Sequence, residues 1–204
     1  MTRIAIIVGS TRPGRRALTV AAWVQAAAER HSAVKAGEVS VDLVDLADFG
    51  LPVLDEPVPA AFGQYSHEHT RRWSEAIASY DGYVFVTAEY NRSIPGALKN
   101  AIDYLYSEWH DKAAGFVSYG VLGGTRAVEQ LRLVLTEVKI AHVPTQVALP
   151  VFTEFTFTDP TDPTDAGVLT PGEHQEPSLH KLLDEVVAWS DALKPLREKA
   201  PEHV

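Results

Sequence analysis

The chain has 204 residues, is 46% hydrophobic and contains no cysteine, so it can bury one substantial core but can form neither a disulfide nor a thiolate metal site. Its formal net charge of -9 argues against nucleic acid and anionic lipid as partners, because the overall field repels both. With neither a signal-peptide pattern nor a stretch of ~20 apolar residues, it is predicted to be a single cytoplasmic domain over residues 1–204 that does not contact a membrane.

Short apolar runs alternate along the chain with longer segments of helical pattern, which is typical of a parallel sheet covered by helices on both faces. Strands are predicted at 4–8, 39–44, 83–87, 115–119 and 145–149. Helices are predicted at 17–29, 68–79, 96–107, 126–138 and 179–193. Two proline-containing segments break the alternation, and we interpret both as surface loops that a partner subunit could order. They are 47–65 and an extended loop at about 150–177, before the C-terminal helix.

The segment after the first predicted strand, Gly9 to Ala17, has the composition of a phosphate site. It places hydroxyls, backbone amides and three guanidinium groups at a helix N-terminus, where the helix dipole favours an anion. The pattern fits neither the P-loop nor the Gly-x-Gly-x-x-Gly fingerprint. A terminal phosphomonoester fits it, and an ordinary turn with solvated arginines is the alternative. The candidate binding residues are Ser10, Thr11, Arg12, Arg15, Arg16 and Ala17.

A polar and aromatic turn joins the third strand to the next helix. Pro95 is predicted in the first helical turn and Ser93 as the helix cap. Because ligands of an open parallel sheet bind outside the carboxyl ends of its strands, this turn and the one after the fourth strand should flank a ring system. Glycines in the latter turn either leave space for a ring or simply end the strand. The candidates are Ala88, Glu89, Tyr90, Asn91, Ser118, Gly120 and Gly123.

A phosphate followed by a polar-edged ring describes flavin mononucleotide (FMN), and three motifs resemble those of the NADPH-dependent FMN reductases. They are Gly-Ser-Thr-Arg-Pro-Gly-Arg at 9–15, Glu-Tyr-Asn-Arg-Ser-Ile-Pro-Gly-Ala-Leu-Lys-Asn-Ala-Ile-Asp at 89–103, and Phe-Val-Ser-Tyr-Gly with Gly-Gly within 116–124. The resemblance implies an α/β fold, a flavodoxin-like three-layer sandwich with five parallel strands in the order 2-1-3-4-5. Ala88 stands where the family commonly has proline.

The same resemblance implies roles for the candidate residues. Ser10, Arg12, Arg15 and Arg16 would hold the FMN phosphate. Glu89, Tyr90 and Asn91 would line the isoalloxazine ring, and Ser118 and Gly120 would close the site. The resemblance also implies a homodimer, or a tetramer made from two dimers.

The activity implied is hydride transfer from NADPH, or NADH, to bound FMN and on to a small-molecule acceptor. That acceptor is free flavin for a monooxygenase partner, a quinone, an azo compound or a metal oxyanion. Because the flavin carries the reaction, no catalytic acid or base is predicted. A non-enzymatic flavodoxin-type electron carrier and a nucleotide sensor are the alternatives, and neither would consume NADPH.

Histidines and tryptophans are two further groups of residues that can carry chemistry. His67 and His69, two apart at a predicted helix start, should point in different directions, so no metal site is predicted. The four tryptophans are expected to pack between a helix and the sheet or between helices. Trp109 is the one exception considered, because it could reach the flavin site of a neighbouring subunit.

Overall fold

The computed structural model describes residues 1–162 and 164–199. Within them, one parallel sheet has five strands in the order β2-β1-β3-β4-β5, which confirms the predicted order. The strands are β1 (Thr2–Val8), β2 (Val39–Asp45), β3 (Gly82–Ala88), β4 (Lys112–Gly120) and β5 (Ile140–Pro150). Strand order reverses between β1 and β3, so the turns that follow these two strands are neighbours at the carboxyl edge.

Helices cover both faces of the sheet. One face carries α1 (Ala17–Ala28) and α7 (Gln175–Lys199), and the other carries α3 (Glu68–Ala78), α4 (Gly96–Asp103) and α5 (Thr125–Glu137). In β3, Val84 and Val86 pack toward the first face, whereas Tyr83 and Phe85 pack toward the second, because successive strand side chains alternate. The short α2 (Ser32–Lys35) precedes β2. Among the described residues, no helix is long and apolar enough to cross a bilayer.

The helix predicted over 96–107 ends earlier, at Asp103. Two buried indoles occupy the carbonyl end of α4: Trp73 Nε1 donates to Ala101 O at 2.8 Å, and Trp109 Nε1 donates to Ile102 O at 3.2 Å. Trp109 is fully buried in this cluster, so the hypothesis that it reaches a neighbouring flavin site is wrong. Burying both rings requires the chain to turn back after α4.

The prediction that His67 and His69 diverge is also wrong. Their rings are stacked with centroids 5.1 Å apart, because His67 is the extended N-cap residue of α3 and therefore does not follow helical spacing. His69 Nε2 lies 3.0 Å from Asp55 Oδ1, in the loop after β2. Among the described residues, no group of three or more histidine and acidic side chains is arranged to hold a metal ion.

The extended loop after β5 is held by contacts within the chain. It contains α6 (Val151–Glu154) and the antiparallel strands β6 (Phe155–Thr156) and β7 (Val168–Leu169). The buried Glu154 carboxylate accepts hydrogen bonds from Gly172 N at 2.7 Å and from Gln175 Nε2 at 3.0 Å. These bonds join the start of the loop to the start of α7.

Candidate functional site

The turn after β1 lies close against β3 and α4. Gly9 N donates to Val86 O at 2.9 Å. A Cβ atom at Gly9 would lie 2.9 Å from Leu98 Cδ2 and 3.0 Å from Val86 O, closer than side chains pack. Glycine at this position therefore lets the first turn approach its neighbours at the centre of the carboxyl edge.

Backbone donors collect in this first turn. Among the described residues, the amides of Ser10, Thr11 and Arg12 donate no hydrogen bond. Helix α1 follows with no side-chain cap at Arg16 and no acidic residue in its first turn. The N–H groups of a first helical turn lack intrahelical acceptors and lie at the positive end of the helix dipole. This combination of donors is one that binds phosphate groups.

The three arginines of the turn have different partners. Arg12 is exposed, and its Nη2 makes a long hydrogen bond of 3.4 Å to Gly14 O within the turn. Arg15 forms an ion pair with Asp45 at 2.5 Å, and both side chains are largely buried. The sequence analysis did not identify Asp45, because the pair joins the turn before α1 to the last residue of β2, 30 positions further along the chain.

Arg16 contacts the extended loop. Its Nε donates to Ala166 O at 2.6 Å and its Nη2 to Asp165 O at 3.1 Å, while its guanidinium lies 5.4 Å from the ring centroid of Phe157. The structure therefore does not bring the three guanidinium groups together at one point. A pocket of about 260 Å³ lies between this loop and the turn after β4, and Arg16 and Val121 are among its lining residues.

The other two candidates of the first turn differ in exposure. Ala17 is fully buried at the start of α1, so it presents only its backbone. Thr11 is exposed and lines a second pocket, of about 290 Å³, together with Leu51 and Asn100. Thr11 and Arg16 thus line different pockets.

The turn after β3 is a tight four-residue turn from Tyr90 to Ser93. These two residues exchange backbone hydrogen bonds of 2.9 and 3.0 Å. Both central residues are left-handed, Asn91 with φ of +50° and Arg92 with φ of +68°. Asparagine tolerates this conformation, whereas a residue such as arginine pays roughly 1–2 kcal/mol. The turn therefore presents the exposed Asn91 at a defined, constrained tip.

The predicted cap of α4 is wrong. Pro95 itself is the N-cap residue, with φ of -56° and ψ of 138°, and Ser93 pairs with Tyr90 in the turn instead. Ala88, the last residue of β3, is buried and in register with Tyr119 of β4. The rigidity of this turn thus comes from the Tyr90–Ser93 pairing rather than from a helix cap.

Two consecutive side chains connect the turn after β3 to the turns on either side of it. The Tyr90 hydroxyl lies 3.1 Å from Oγ of the fully buried Ser10, in the turn after β1. In the other direction, Glu89 forms an ion pair with Arg126 in the first turn of α5, after β4. Arg126 was missed by the sequence analysis, since an arginine in an amphipathic helix carries no signal of a partner 37 residues away.

The turn after β4 is shaped by its glycines and by Ser118. The fully buried Ser118 hydroxyl donates to Gly123 O at 2.6 Å. Gly123 and Gly124 have φ of +73° and +72°, and a Cβ at Gly124 would lie 2.9 Å from Ser118 Cβ. Gly123 N also donates to Gly120 O at 3.0 Å. Ser118 and the glycines therefore set the path of the turn, and Gly124 is the N-cap residue of α5.

Tyr119, in the segment predicted to flank the ring, is buried near the end of β4. Burial is the main cause that raises the pKa of its hydroxyl above the ordinary range, and the positive charge of Arg12 and Arg16 opposes that shift. The Tyr119 hydroxyl is therefore neutral at physiological pH and lies within electrostatic reach of the first turn.

Comparison with known proteins gives consistent matches. Residues 2–154 match a family model described as NADPH-dependent FMN reductase. The chain is 46% identical over 158 residues to the NAD(P)H-dependent FMN reductase ntnL of a Nectria species, covering 74% of this chain and 76% of that protein. It is 35% identical over 201 residues to an NAD(P)H-dependent FMN reductase of Schizosaccharomyces pombe, covering 98% and 94%.

Two further similarities extend this comparison. The chain is 31% identical over 150 residues to a quinone reductase of Pseudomonas putida, covering 69% of this chain and 74% of that protein. Among solved structures, it is similar to FerB, a flavoenzyme NAD(P)H:(acceptor) oxidoreductase from Paracoccus denitrificans. The TM-score is 0.69 at 24% identity, with 94% of this chain and 98% of the other covered, a likeness that supports the fold.

Proposed function

Because the chain belongs to the NADPH-dependent FMN reductase family, and is thus an NAD(P)H-dependent oxidoreductase that uses FMN, we propose that the turns after β1, β3 and β4 form its flavin site. The observation that carries this proposal is a set of amides, in residues 10–12, that have no acceptor among the described residues and lie beside the start of α1, which no described side chain caps. The family assignment favours an enzyme over the electron carrier and the nucleotide sensor.

The first turn would hold the phosphate. Its donors are the amides of residues 10–12, the Thr11 hydroxyl and the Arg12 guanidinium, and phosphate accepts bonds from groups of this kind. Arg15 and Arg16 would not contact the phosphate themselves but would hold the turn that binds it. Arg15 joins the turn to the end of β2 through Asp45, and Arg16 joins it to the extended loop.

The turns after β3 and β4 would hold the ring system. Asn91 offers amide hydrogen-bonding groups at the constrained tip, and the partly exposed Tyr90 offers an aromatic face. Gly120 and Gly123 lie in the facing turn, whose path depends on the Ser118 hydrogen bond. The buried Glu89 carboxylate retains one oxygen, Oε2, without a partner among the described residues.

FMN, held by these turns, would supply the redox chemistry between NADPH and the second substrate. The protein orients the reactants by rigid turns, which lowers the entropic cost of bringing them together without a titrating side chain. We therefore assign binding and orientation, rather than proton transfer, to the residues of these turns.

The second substrate is a small-molecule acceptor, and we propose a quinone, as the name of the Pseudomonas putida relative suggests. Free flavin for a monooxygenase partner, an azo compound and a metal oxyanion are the other acceptors that the family resemblance implies. A homodimer or a tetramer of dimers, one FMN-binding domain over 1–204 and a cytoplasmic location also stay predictions. Residues 163 and 200–204 of that domain lie outside the described residues.

The test is the visible absorption spectrum of the purified protein with FMN, followed by NADPH without oxygen. We expect a bound-flavin spectrum that bleaches on addition of NADPH and returns when a quinone is added. Riboflavin, which lacks the phosphate, should bind more weakly than FMN. Equal affinity for the two flavins would overturn the phosphate site, and bound FMN that NADPH does not bleach would overturn the proposed reductase site.

A further inference from the structure

A partly buried ion pair, Glu89 with Arg126, bridges two of the turns at the carboxyl edge. The Glu89 side chain is 6% exposed, and its partner Arg126 is 33% exposed. A Cβ placed on Gly120 would lie 3.4 Å from Glu89 Cβ, so the Glu89 side chain lies directly against the turn after β4. The pair thus lies between the two turns that we propose to hold the ring.

The pair is incompletely satisfied. Glu89 Oε2 and Arg126 Nε are both buried, and neither has a hydrogen-bond partner among the described residues. Taking charges out of water costs several kcal/mol per ion, which an ion pair repays only when its remaining polar atoms are also satisfied. Well-packed apolar side chains in the same place are often equally stable. Stability alone therefore gives little reason for this pair.

The presence of the Glu89–Arg126 pair is better explained by a bound ligand whose charge changes during the reaction. Two-electron reduction adds negative charge to a flavin ring at neutral pH, so buried charges nearby affect the reduced form more than the oxidised form. We infer that Arg126 is a positioning residue that holds and neutralises Glu89, and that the pair thereby sets the relative affinity of the site for reduced and oxidised FMN. This inference rests on the proposed function.

The inference predicts effects of opposite sign. Arg126→Met leaves the Glu89 carboxylate without its cation, so the site should bind reduced FMN more weakly and the midpoint potential should fall. Glu89→Gln leaves the cation of Arg126, so the potential should rise. A tenfold change in the ratio of the two affinities corresponds to about 30 mV for a two-electron couple, which is the size of shift we expect. The double variant should return toward the wild-type potential.

The experiment measures the midpoint potential of each FMN-loaded protein by anaerobic equilibration with a redox dye, and its affinity for oxidised FMN by fluorescence. Arg132→Met is the matched control, since Arg132 lies on the same helix but donates to His142 and Val143 of β5. Its potential should equal that of the wild type. Arg126→Lys, which keeps the charge, should also stay close to the wild-type potential.

The measured potentials distinguish a redox role of the pair from a structural one. Shifts below about 10 mV, roughly a factor of two, in both Glu89→Gln and Arg126→Met would overturn the inference. A fall in unfolding temperature at unchanged potential would assign the pair a purely structural role. If Arg126→Met does not retain FMN, the sign of the shift in Glu89→Gln decides. Failure of the wild-type protein to bind FMN would instead overturn the proposed function, and this inference with it.

Discussion

The Tyr90 hydroxyl lies 3.1 Å from Oγ of Ser10, so the turn after β3 is hydrogen-bonded to the turn after β1. The two residues are 80 positions apart and meet because β1 and β3 are neighbours in the sheet. Ser10 is fully buried, whereas Tyr90 is 38% exposed. The Tyr90 hydroxyl thus contacts the proposed phosphate-binding turn, while part of the Tyr90 side chain is exposed at the carboxyl edge of the sheet.

The first prediction concerns this hydrogen bond. Tyr90→Phe and Ser10→Ala should each lower the free energy of unfolding of the FMN-free protein, and the double variant should lose less than their sum. The coupling should be about 0.5–1.5 kcal/mol, the usual net value of one hydrogen bond. Urea unfolding of the four proteins measures it. Strictly additive losses would show that the two hydroxyls do not interact.

The second prediction is that Arg12 and Arg16 in the first turn contribute differently to FMN affinity. Arg12→Ala should weaken FMN binding by about tenfold or more, because hydrogen bonds to charged groups contribute about 1.5–3 kcal/mol. Riboflavin affinity should be unchanged. Arg16→Ala should affect FMN binding far less, since that guanidinium is bonded to Asp165 and Ala166.

Fluorescence titration of both flavins with both variants makes this comparison. An equal loss of FMN and riboflavin affinity in Arg12→Ala would argue against a phosphate contact by Arg12. An equal loss of FMN affinity in the two variants would show that Arg16 turns to the phosphate when FMN binds.

The third prediction concerns the extended loop. Glu154→Ala removes the acceptor for Gly172 N and Gln175 Nε2, and it should destabilise the protein by about 1–3 kcal/mol. Amide hydrogen exchange should become faster over 155–172. Glu154→Gln keeps one acceptor oxygen and should have a smaller effect. The control is Glu173→Ala, at an exposed position in the same loop. If the loop exchanged as fast in Glu173→Ala as in Glu154→Ala, the prediction would be contradicted.

The fourth prediction concerns Lys112, which is buried at the start of β4. Its Nζ donates to Ile77 O at 2.9 Å and to Tyr83 Oη at 3.0 Å. Burial is the main cause that lowers the pKa of Lys112 to about 7, and the charge of Arg197 acts in the same direction. Between about pH 7 and the ordinary lysine pKa of 10.5, the unfolded chain therefore holds a proton that the folded protein has lost.

Stability should consequently rise with pH in that window, and below about pH 7 Lys112 contributes no slope because both states are protonated. Compared with that of Lys112→Met, the wild-type free energy of unfolding should increase by about 2 kcal/mol between pH 7 and pH 9. Urea unfolding at the two pH values measures this. The exposed Lys181 provides the control variant, Lys181→Met. A wild-type advantage that is constant with pH would contradict the prediction.

Much of the fold could be predicted because local patterns carry it. Each of the five predicted strands lies within an observed strand. The strands β1, β3 and β4 are buried along most of their length, whereas β2 and β5 include polar residues and are only partly buried. One error arose where long-range contacts prevail over local pattern, and another where a residue at a helix start is the N-cap rather than part of the helix. Helix α4 ends at Asp103 because the indoles of Trp73 and Trp109 bond its last carbonyls. His67 and His69 stack because one of them precedes the helix.

The sequence by itself determined the order in which strands and helices follow one another along the chain, and the positions of the three polar turns. Hydrophobic period and turn composition are properties of neighbouring residues. Only the tertiary structure decided which side chains those turns share. Arg15 meets Asp45, Tyr90 meets Ser10 and Glu89 meets Arg126 because the strand order makes their turns neighbours. Such partners are 30 to 80 residues apart, and their pairing depends on backbone placement that no local pattern contains.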